Sequence, residues 1–572
     1  MALVQKAFSD IITFSRSSNA TRIGPNGLVQ YAPHNLLLQS QTLDNASWTK
    51  SSVTVTANAA AAPDGTVTAD QVAATSTTVY LTQSVGSLAV GQYTISVYLK
   101  SGTTSWAALT LSDSVANANG RYFDLSSVAV GGSTGLAVGS NVTVVSASAT
   151  NIGNGWVRCA VTLNVNSATT YTFVLQVVDG NNSTSVTSGK TFFAWGAQLA
   201  VGSNALDYVP TTSAAVYGPR FDYDPVTLAA KGLLIEEQRS NSLTYSEQFD
   251  NAAWTTSNGT LTANAAASPD GTISADQITT SANNSAITRA VSISADSTTY
   301  TASIFVKYIS GSTGFRLRAA LTGGTSVARI IRVNAQTGAF VASDTTYSIV
   351  DFGNGWYRVS MSISNNNTNT TFNYQIYPTD DSTSTNVLLL WGAQLEAGSF
   401  ATSYIPTLAS SVTRSADVAS VNMLSPWFNV TEMTVFLEAS VLSLSGPDYM
   451  WPYCLQSATP VNSFGLFKEP NLGNIYAISR NATSGVNQSF LGPFTITANT
   501  VLKSAFAGKS GSNAFSVNGL TALTDSATSM SNFNTMSQLM IGNGDQKWNG
   551  HIRRIAYYPR RLTNAELQAL SA

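Results

Sequence analysis

Two sets of short strings occur twice in this chain, in the same order, and that repetition restricts it to folds containing two copies of one domain. The first copy reads Asn154-Gly155-Trp156-Val157-Arg158, then Trp195-Gly196-Ala197-Gln198-Leu199, then Tyr208-Val209-Pro210-Thr211. The second reads Asn354-Gly355-Trp356-Tyr357-Arg358, then Trp391-Gly392-Ala393-Gln394-Leu395, then Tyr404-Ile405-Pro406-Thr407. Upstream, Asn45-Ala46-Ser47-Trp48 answers Asn251-Ala252-Ala253-Trp254, and Pro63-Asp64-Gly65-Thr66 answers Pro269-Asp270-Gly271-Thr272. The offset is 206 residues between Trp48 and Trp254, 200 between Trp156 and Trp356, and 196 between Trp195 and Trp391. Small deletions shorten the loops while the landmarks keep their order, as expected of an internal repeat.

Within each copy the apolar residues alternate. Tyr93, Ile95, Val97 and Leu99 fall on one face of an extended segment, the period of a half-buried strand. Trp156 to Val165 and Tyr171 to Val178 repeat the pattern, and the second copy matches it at Tyr300 to Lys307, Trp356 to Ile363, Phe372 to Tyr377 and Val387 to Leu395. Short strands separated by Gly, Asn and Ser, without helical periodicity, predict β-sandwiches. The region from about 419 is again strand-rich and closes on Thr563-Asn564-Ala565-Glu566, a capping box that predicts a short helix. The expected organisation is an N-terminal attachment arm (1–34), a first module (35–212), a connector (213–240), a second module (241–407), a second connector (408–418) and a C-terminal sandwich (419–572). Two readings of the opening segment stand side by side: a docking arm, or an edge strand of the first module. The first connector, with Pro219 and Pro225, reads as stiff.

Charge narrows the function. Only 10% of the 572 residues are charged and the net charge is −2, so no cluster of Lys and Arg is expected to grip nucleic acid or an anionic membrane. No apolar run approaches the roughly 18 residues that span a bilayer. The N-terminus lacks the apolar core of a secretion signal, which predicts a soluble chain made in a cytoplasm. Cys159 and Cys454 fall in different domains, outside any metal-ligand spacing. A glycan hydrolase needs two carboxyls roughly 5–10 Å apart. The chain has eight glutamates, the first at Glu236, and two histidines, His34 and His551. No catalytic constellation emerges, and the chain is expected not to be an enzyme and to need no cofactor.

Six residues are candidates for glycan contact, because an aromatic face offers a sugar apolar area with a polar rim. Trp106 in the first module and Tyr449 and Trp451 in the third are aromatics that the repeat does not duplicate. Asn543, Asp545 and Trp548 lie on the Gly-rich stretch Gly542 to Gly550, where a lectin-like loop would sit. Loop packing or an interface is the competing reading for Trp106, Tyr449 and Trp451, and a packing module without a sugar site is the competing reading for Asn543, Asp545 and Trp548. By contrast Trp156, Trp195, Trp356 and Trp391, and also Trp48 and Trp254, are expected in cores. Asp64, Asp70, Asp270 and Asp276 could hold a structural calcium. The simpler alternative is a Pro-Asp-Gly turn whose Asp bonds its own backbone.

The paired Asn-Gly-Trp-x-Arg and Trp-Gly-Ala-Gln-Leu…Tyr-x-Pro-Thr strings, together with Pro-Asp-Gly-Thr, resemble the carbohydrate-binding-module-like jelly rolls found in tandem on virion proteins of tailed bacteriophages. The connector Pro219-Arg220-Phe221-Asp222-Tyr223-Asp224-Pro225 with Gly232-Leu233-Leu234-Ile235-Glu236 resembles the same family. There the Thr13-Phe14-Ser15-Arg16 segment usually runs almost directly into that connector, so the first jelly roll resembles an inserted duplicate. The stretch Trp548-Asn549-Gly550-His551-Ile552-Arg553-Arg554-Ile555 through Glu566-Leu567 resembles the laminin-G-like, concanavalin-A-like domain of those proteins. The resemblance covers nearly the whole chain and implies an all-β protein, two tandem jelly-roll β-sandwiches followed by a concanavalin-A-like/laminin-G-like β-sandwich. It implies a virion fibre or decoration component, exposed on the particle, docked on other virion proteins and binding host cell-surface polysaccharide weakly in many copies. A homo-oligomer, a trimer by analogy with phage fibres, goes with that role. The alternative is a purely architectural protein that binds no sugar.

Overall fold

A computed structural model describes residues 8–113, 118–134, 141–282, 284–379, 386–446, 448–457, 463–480, 487–526, 533–542 and 547–572. The described chain is almost entirely antiparallel sheet, and it divides into two compact units. One is continuous, Tyr31–Gly218. The other combines the residues up to Gln30 with Pro219–Ala572.

In the continuous unit two six-stranded sheets face each other. One runs Ala129–Ser133, Ala118–Asp124, Trp106–Asp113, Thr169–Val178, Tyr80–Leu88, Thr49–Ser51; the other runs Val142–Gly153, Trp156–Val165, Gly91–Ser101, Thr191–Val201, Ala69–Ala74, Val53–Ala60. Alternate residues of the facing strands, Ile95, Val97, Leu109, Leu111, Phe173 and Leu175 among them, fill the space between the sheets. The discontinuous unit repeats this sandwich with Thr255–Ser257, Ala286–Ser292, Thr371–Tyr377, Gly314–Thr322, Val327–Asn334, Phe340–Ser343 opposite Gly259–Ala267, Ile273–Thr280, Asn386–Ala397, Thr299–Gly311, Trp356–Ser364, Tyr347–Asp351.

The repeated strings have structural roles. Asn154 and Gly155, like Asn354 and Gly355, all have φ between 52° and 79°, which two-residue hairpin turns demand and Asn-Gly supplies. In Trp-Gly-Ala-Gln the glycine forms a bulge with positive φ, 65° at Gly196 and 64° at Gly392. A Cβ at Gly392 would come within 2.9 Å of the Phe305 ring. The bulge brings Trp195 onto Tyr208 with ring centroids 4.7 Å apart, and Trp391 onto Tyr404 at 4.6 Å. All six repeated tryptophans are buried, as their duplication implied. Each string's arginine bonds inward: Arg158 to Leu206 O and Arg358 to Thr402 O, stacked over Tyr98 and Phe305.

The rest of the discontinuous unit is a sandwich of two seven-stranded sheets. Both segments read as arm and connector contribute strands to it. Thr13–Ser15 pairs with Val418–Val421 at an edge, so the opening segment extends the C-terminal sandwich rather than the first module or a free arm. Phe221–Tyr223 and Ala230–Ile235 form a hairpin whose second strand pairs with Gly550–Tyr558. Three-residue strands of mixed polarity carry no readable period. The C-terminal helix, Asn564–Ser571, has the expected capping box, with Thr563 as N-cap and Glu566 reaching back.

Buried charge fastens these segments together. Arg16 bonds Asp417 at 2.9 Å, Arg220 bonds Glu236 at 2.6 Å and also Asp417, and Arg414 bonds Glu236 at 2.7 Å; these side chains are fully shielded from water or nearly so. Burial alone would push the Glu236 carboxyl up, but Arg414 and Arg220 more than offset it and hold it well below the usual carboxylate range. Burial lowers Arg16 to about 10 despite Asp417 beside it. In a chain so poor in charge, five ionic side chains in one dry cluster fix which segments meet. Losing either carboxylate leaves three buried arginines facing a single counter-charge.

Candidate functional site: an aromatic face on the C-terminal sandwich

The seven-stranded sheet that begins with Thr13–Ser15 ends with Met450–Ser457, Ser463–Lys468, Asn474–Arg480 and Asn487–Thr495. One face of these strands, with Tyr453, Leu455, Phe464, Leu466, Ile475, Ala477 and Leu491, belongs to the core. Strand alternation turns Phe467, Tyr476 and Phe490 to the opposite face, and a register shift between Met450 and Tyr453 turns Trp451 there as well. There they meet in a continuous ladder. Trp451 lies 5.3 Å from Phe467, Phe467 stacks on Tyr476 at 5.4 Å, and Tyr476 stacks on Phe490 at 4.8 Å. Tyr449, just before the first strand, packs edge-on against Phe467 at 5.4 Å. Phe467 at the centre is 6% exposed, whereas Tyr449 and Phe490 at the rim are 50% and 48% exposed. Glu469 adds the polar component, accepting hydrogen bonds from Asn474 Nδ2 at 3.1 Å and Tyr476 OH at 3.2 Å.

The structure thus brings together two of the six sequence candidates, Tyr449 and Trp451, and adds Phe467, Tyr476 and Phe490. A signal for the added three existed. Phe464-Gly465-Leu466-Phe467 and Ile475-Tyr476-Ala477 place large side chains on both faces of a strand, which a sheet with one solvated face does not need. Trp106 is half-buried in the first module, against Ala108, Tyr122 and Val178 on the outer side of its sheet. Trp548 is a correction. It is 0% exposed, its Nε1 donates to Ser440 O at 2.9 Å, and it belongs to the hydrophobic core, so no face is left for a ligand. Asn543 and Asp545 lie outside the described residues.

The aspartates weighed for calcium have other work. Asp70 accepts from Leu43 N–H and Asn58 N–H, and Asp276 from Phe249 N–H and Asn264 N–H, both oxygens of each being used at 2.7 and 2.9 Å. Oxygens facing N–H donors are poorly placed as cation ligands. Asp64 and Asp270 accept from the backbone and hydroxyl of Thr66 and Thr272, as Asx turns do. Among the described residues no group of three or more His, Cys, Asp or Glu could hold a metal ion. No helix among them is long and apolar enough to cross a membrane.

Beside the repeated serine–tyrosine pair the second module carries a carboxyl that the first lacks. Ser40 and Tyr208 share a hydrogen bond at 2.6 Å, as Ser246 and Tyr404 do at 2.7 Å. Beside this pair the first module has Gln41, and the second has Glu247, whose Oε1 accepts from Tyr404 OH at 2.9 Å. Burial, with Asp270 nearby, pushes the Glu247 carboxyl up to about 8.

No family model matches the chain, and no curated protein matches it. Among solved structures it is similar to the CBM40 module of the Ruminococcus gnavus IT-sialidase, with 16% identity, 25% of this chain and 84% of that one covered, and a TM-score of 0.22. It is similar to the N-terminal CBM22-1-CBM22-2 tandem domain of Paenibacillus barcinonensis Xyn10C, with 13% identity, 64% and 98% covered, and a TM-score of 0.22. It is also similar to domains LG4-5 of the mouse laminin alpha1 chain, with 11% identity, 48% and 90% covered, and a TM-score of 0.18. Scores this low transfer no property, and the functional reading rests on the residues of this chain.

Proposed function

We propose that this chain is a non-enzymatic glycan-binding structural protein that contacts sugar through the aromatic face of its C-terminal sandwich. The observation that carries the reading is the five-residue ladder of Tyr449, Trp451, Phe467, Tyr476 and Phe490. An aromatic patch that opens to solvent at Tyr449 and Phe490 marks a contact site. Flat rings with hydroxyl, indole N–H and carboxylate groups at their margin suit the apolar face and polar rim of a pyranose. The placement on a phage virion, docked on other virion proteins and presented in several copies, is supported by the resemblance of the repeated strings and the connector. Several copies acting together raise the effective concentration of weak sites without new contacts.

A glycan array and a host-cell pull-down with the full chain, run beside Trp451→Ala and Tyr476→Ala, test the reading. Stacking of this kind contributes on the order of 1 kcal/mol per ring beyond area burial, so each variant is expected to bind about five- to ten-fold more weakly. Analysis of the recovered glycans for new reducing ends tests the non-enzymatic part, with none expected. An assembled, multivalent preparation that binds no glycan would leave the aromatic face as an interface to another protein, the architectural alternative.

A further inference from the structure

The second jelly roll carries a cluster of cations on one face. In the sheet containing Gly314–Thr322, the residues Phe315, Leu317 and Ala319 point into the core, so Arg316 and Arg318 point outward. On the neighbouring strand Ile331 and Val333 are in the core and Arg332 is turned out, directly opposite Arg316 in the pairing. On the other side Tyr377 pairs with Arg316 and Gln375 with Arg318. Like charges directly across a pair of strands destabilise a sheet. The other described residues these strands turn to this face include Thr288, Ala290, Asn373, Ala320, Ile330 and Ala342, and none of the described ones is acidic. Asp344, at the end of the next strand, accepts the backbone N–H of Ile330 at 2.7 Å.

Arg316 has no hydrogen bond or ion pair among the described residues. Its guanidinium carbon sits 4.1 Å from the centre of the Tyr377 ring, and its Nε is buried without an acceptor. A buried donor without a partner costs about 1–3 kcal/mol. Arg318 donates to Gln375 Oε1, and the remaining edge of its guanidinium is not engaged by any described residue. The matching face of the first module lacks this chemistry. Phe173 and Tyr374 are equivalent, since each is the ring its module's first tryptophan packs against, at 5.7 and 5.8 Å. Counting from them, Thr110 opposite Val174 corresponds to Arg318 opposite Gln375, and Ala108 to Arg316. The fold therefore does not require arginine there.

We propose that this face of the second module binds a carboxylate-bearing sugar residue of an acidic polysaccharide. Arg316 and Arg318 would hold the carboxylate in the paired N–H geometry that guanidinium groups provide. Tyr377 supports the Arg316 guanidinium from beneath, and Gln375 and Asn373 line the floor where hydroxyls would lie. Arg332 makes contacts of its own and contributes field rather than the essential bond. The site belongs to a different sandwich from the aromatic ladder and does not depend on it.

The test is calorimetric titration of the full chain with uronate oligosaccharides (galacturonate and glucuronate series) and sialyllactose. Methyl-esterified forms of the same uronates keep the rings and remove the charge. At least one acidic sugar is expected to bind, with its ester about ten-fold weaker, a difference of about 1.4 kcal/mol. The double variant Arg316→Gln/Arg318→Gln is expected to lose the acidic sugar while keeping its melting temperature, and Trp451→Ala is expected to bind it as the parent does. Failure of every acidic sugar to bind, equal binding of acid and ester, or unchanged binding by the double variant would each overturn the proposal. Inorganic phosphate displacing the uronate at lower concentration than acetate does would also overturn it, in favour of a phosphate-bearing ligand.

Discussion

The two jelly rolls share a core and differ on the outer face of one sheet. In both, an Asn-Gly turn, a glycine bulge, a tryptophan stacked on a tyrosine and an arginine bonded to a backbone carbonyl recur with nearly the same distances. On the outer side of one sheet, Ala108 and Thr110 of the first module stand where Arg316 and Arg318 stand in the second. The duplicated positions are those the backbone and core require. The divergent positions are free to acquire a ligand. The same division separates the buried tryptophans of the repeat from the exposed aromatics of the C-terminal sandwich.

The largest expected break in the symmetry comes from the ion cluster, which among the described residues only the discontinuous unit contains. Glu236→Gln leaves Arg220 and Arg414 buried without their shared carboxylate and should cost about 3–5 kcal/mol. In a calorimetric scan the transition of that unit should fall steeply while the transition of Tyr31–Gly218 stays in place. The same carboxyl gives an acid limit. Because its folded value lies below the ordinary 4.5, its stabilisation is present above pH 4.5 and lost as the pH falls below it.

A smaller and symmetric effect is expected at the bulges. Gly196→Ala and Gly392→Ala each force a side chain into positive φ against an aromatic ring, at about 1–3 kcal/mol. Equal losses in the two transitions would support equivalence of the bulges, and a loss in one alone would break it.

Glu247 should give an effect on stability that is confined to neutral and alkaline pH. Its carboxyl is raised from 4.5 to about 8 in the folded chain, so below pH 4.5 it is neutral in both states. As the pH climbs from 4.5 through 8 the unfolded chain ionises first, and stability is lost over that window. Glu247→Gln, which copies Gln41 of the first module, should therefore raise the melting temperature at pH 9 and change little at pH 4. A variant that melts lower than the parent at pH 9 would contradict this.

Much of the sandwich architecture was legible because duplication filtered the sequence. A tryptophan found at the same landmark twice had to be structural, and the strands around it showed clean alternation. The pairing partners of the short strands at 13–15, 221–223 and 239–241 escaped because three residues carry no period, and because Arg16, Arg220 and Arg414 reach partners up to 401 residues away. Trp548 was misread because a Gly-rich, polar neighbourhood suggests an exposed loop. The next strand, Gly550–Tyr558, draws its indole into the core instead. Two of the five ladder residues were visible as unduplicated Tyr449 and Trp451; the rest depended on which strands pair.

The most direct measurement pairs affinity with stability in two variants. Trp451→Ala lies on the exposed ladder, and Trp391→Phe lies at a duplicated core position where the indole donates to Ser274 Oγ. Titration of host-surface polysaccharide and thermal melting of each full-length variant should separate cleanly. Trp451→Ala is expected to weaken binding about ten-fold with the melting temperature unchanged, and Trp391→Phe to lower the melting temperature by about 2–4 °C with affinity unchanged. Full affinity in Trp451→Ala, or affinity lost in Trp391→Phe, would contradict the assignment of stability to the repeated positions and of binding to the unrepeated ones.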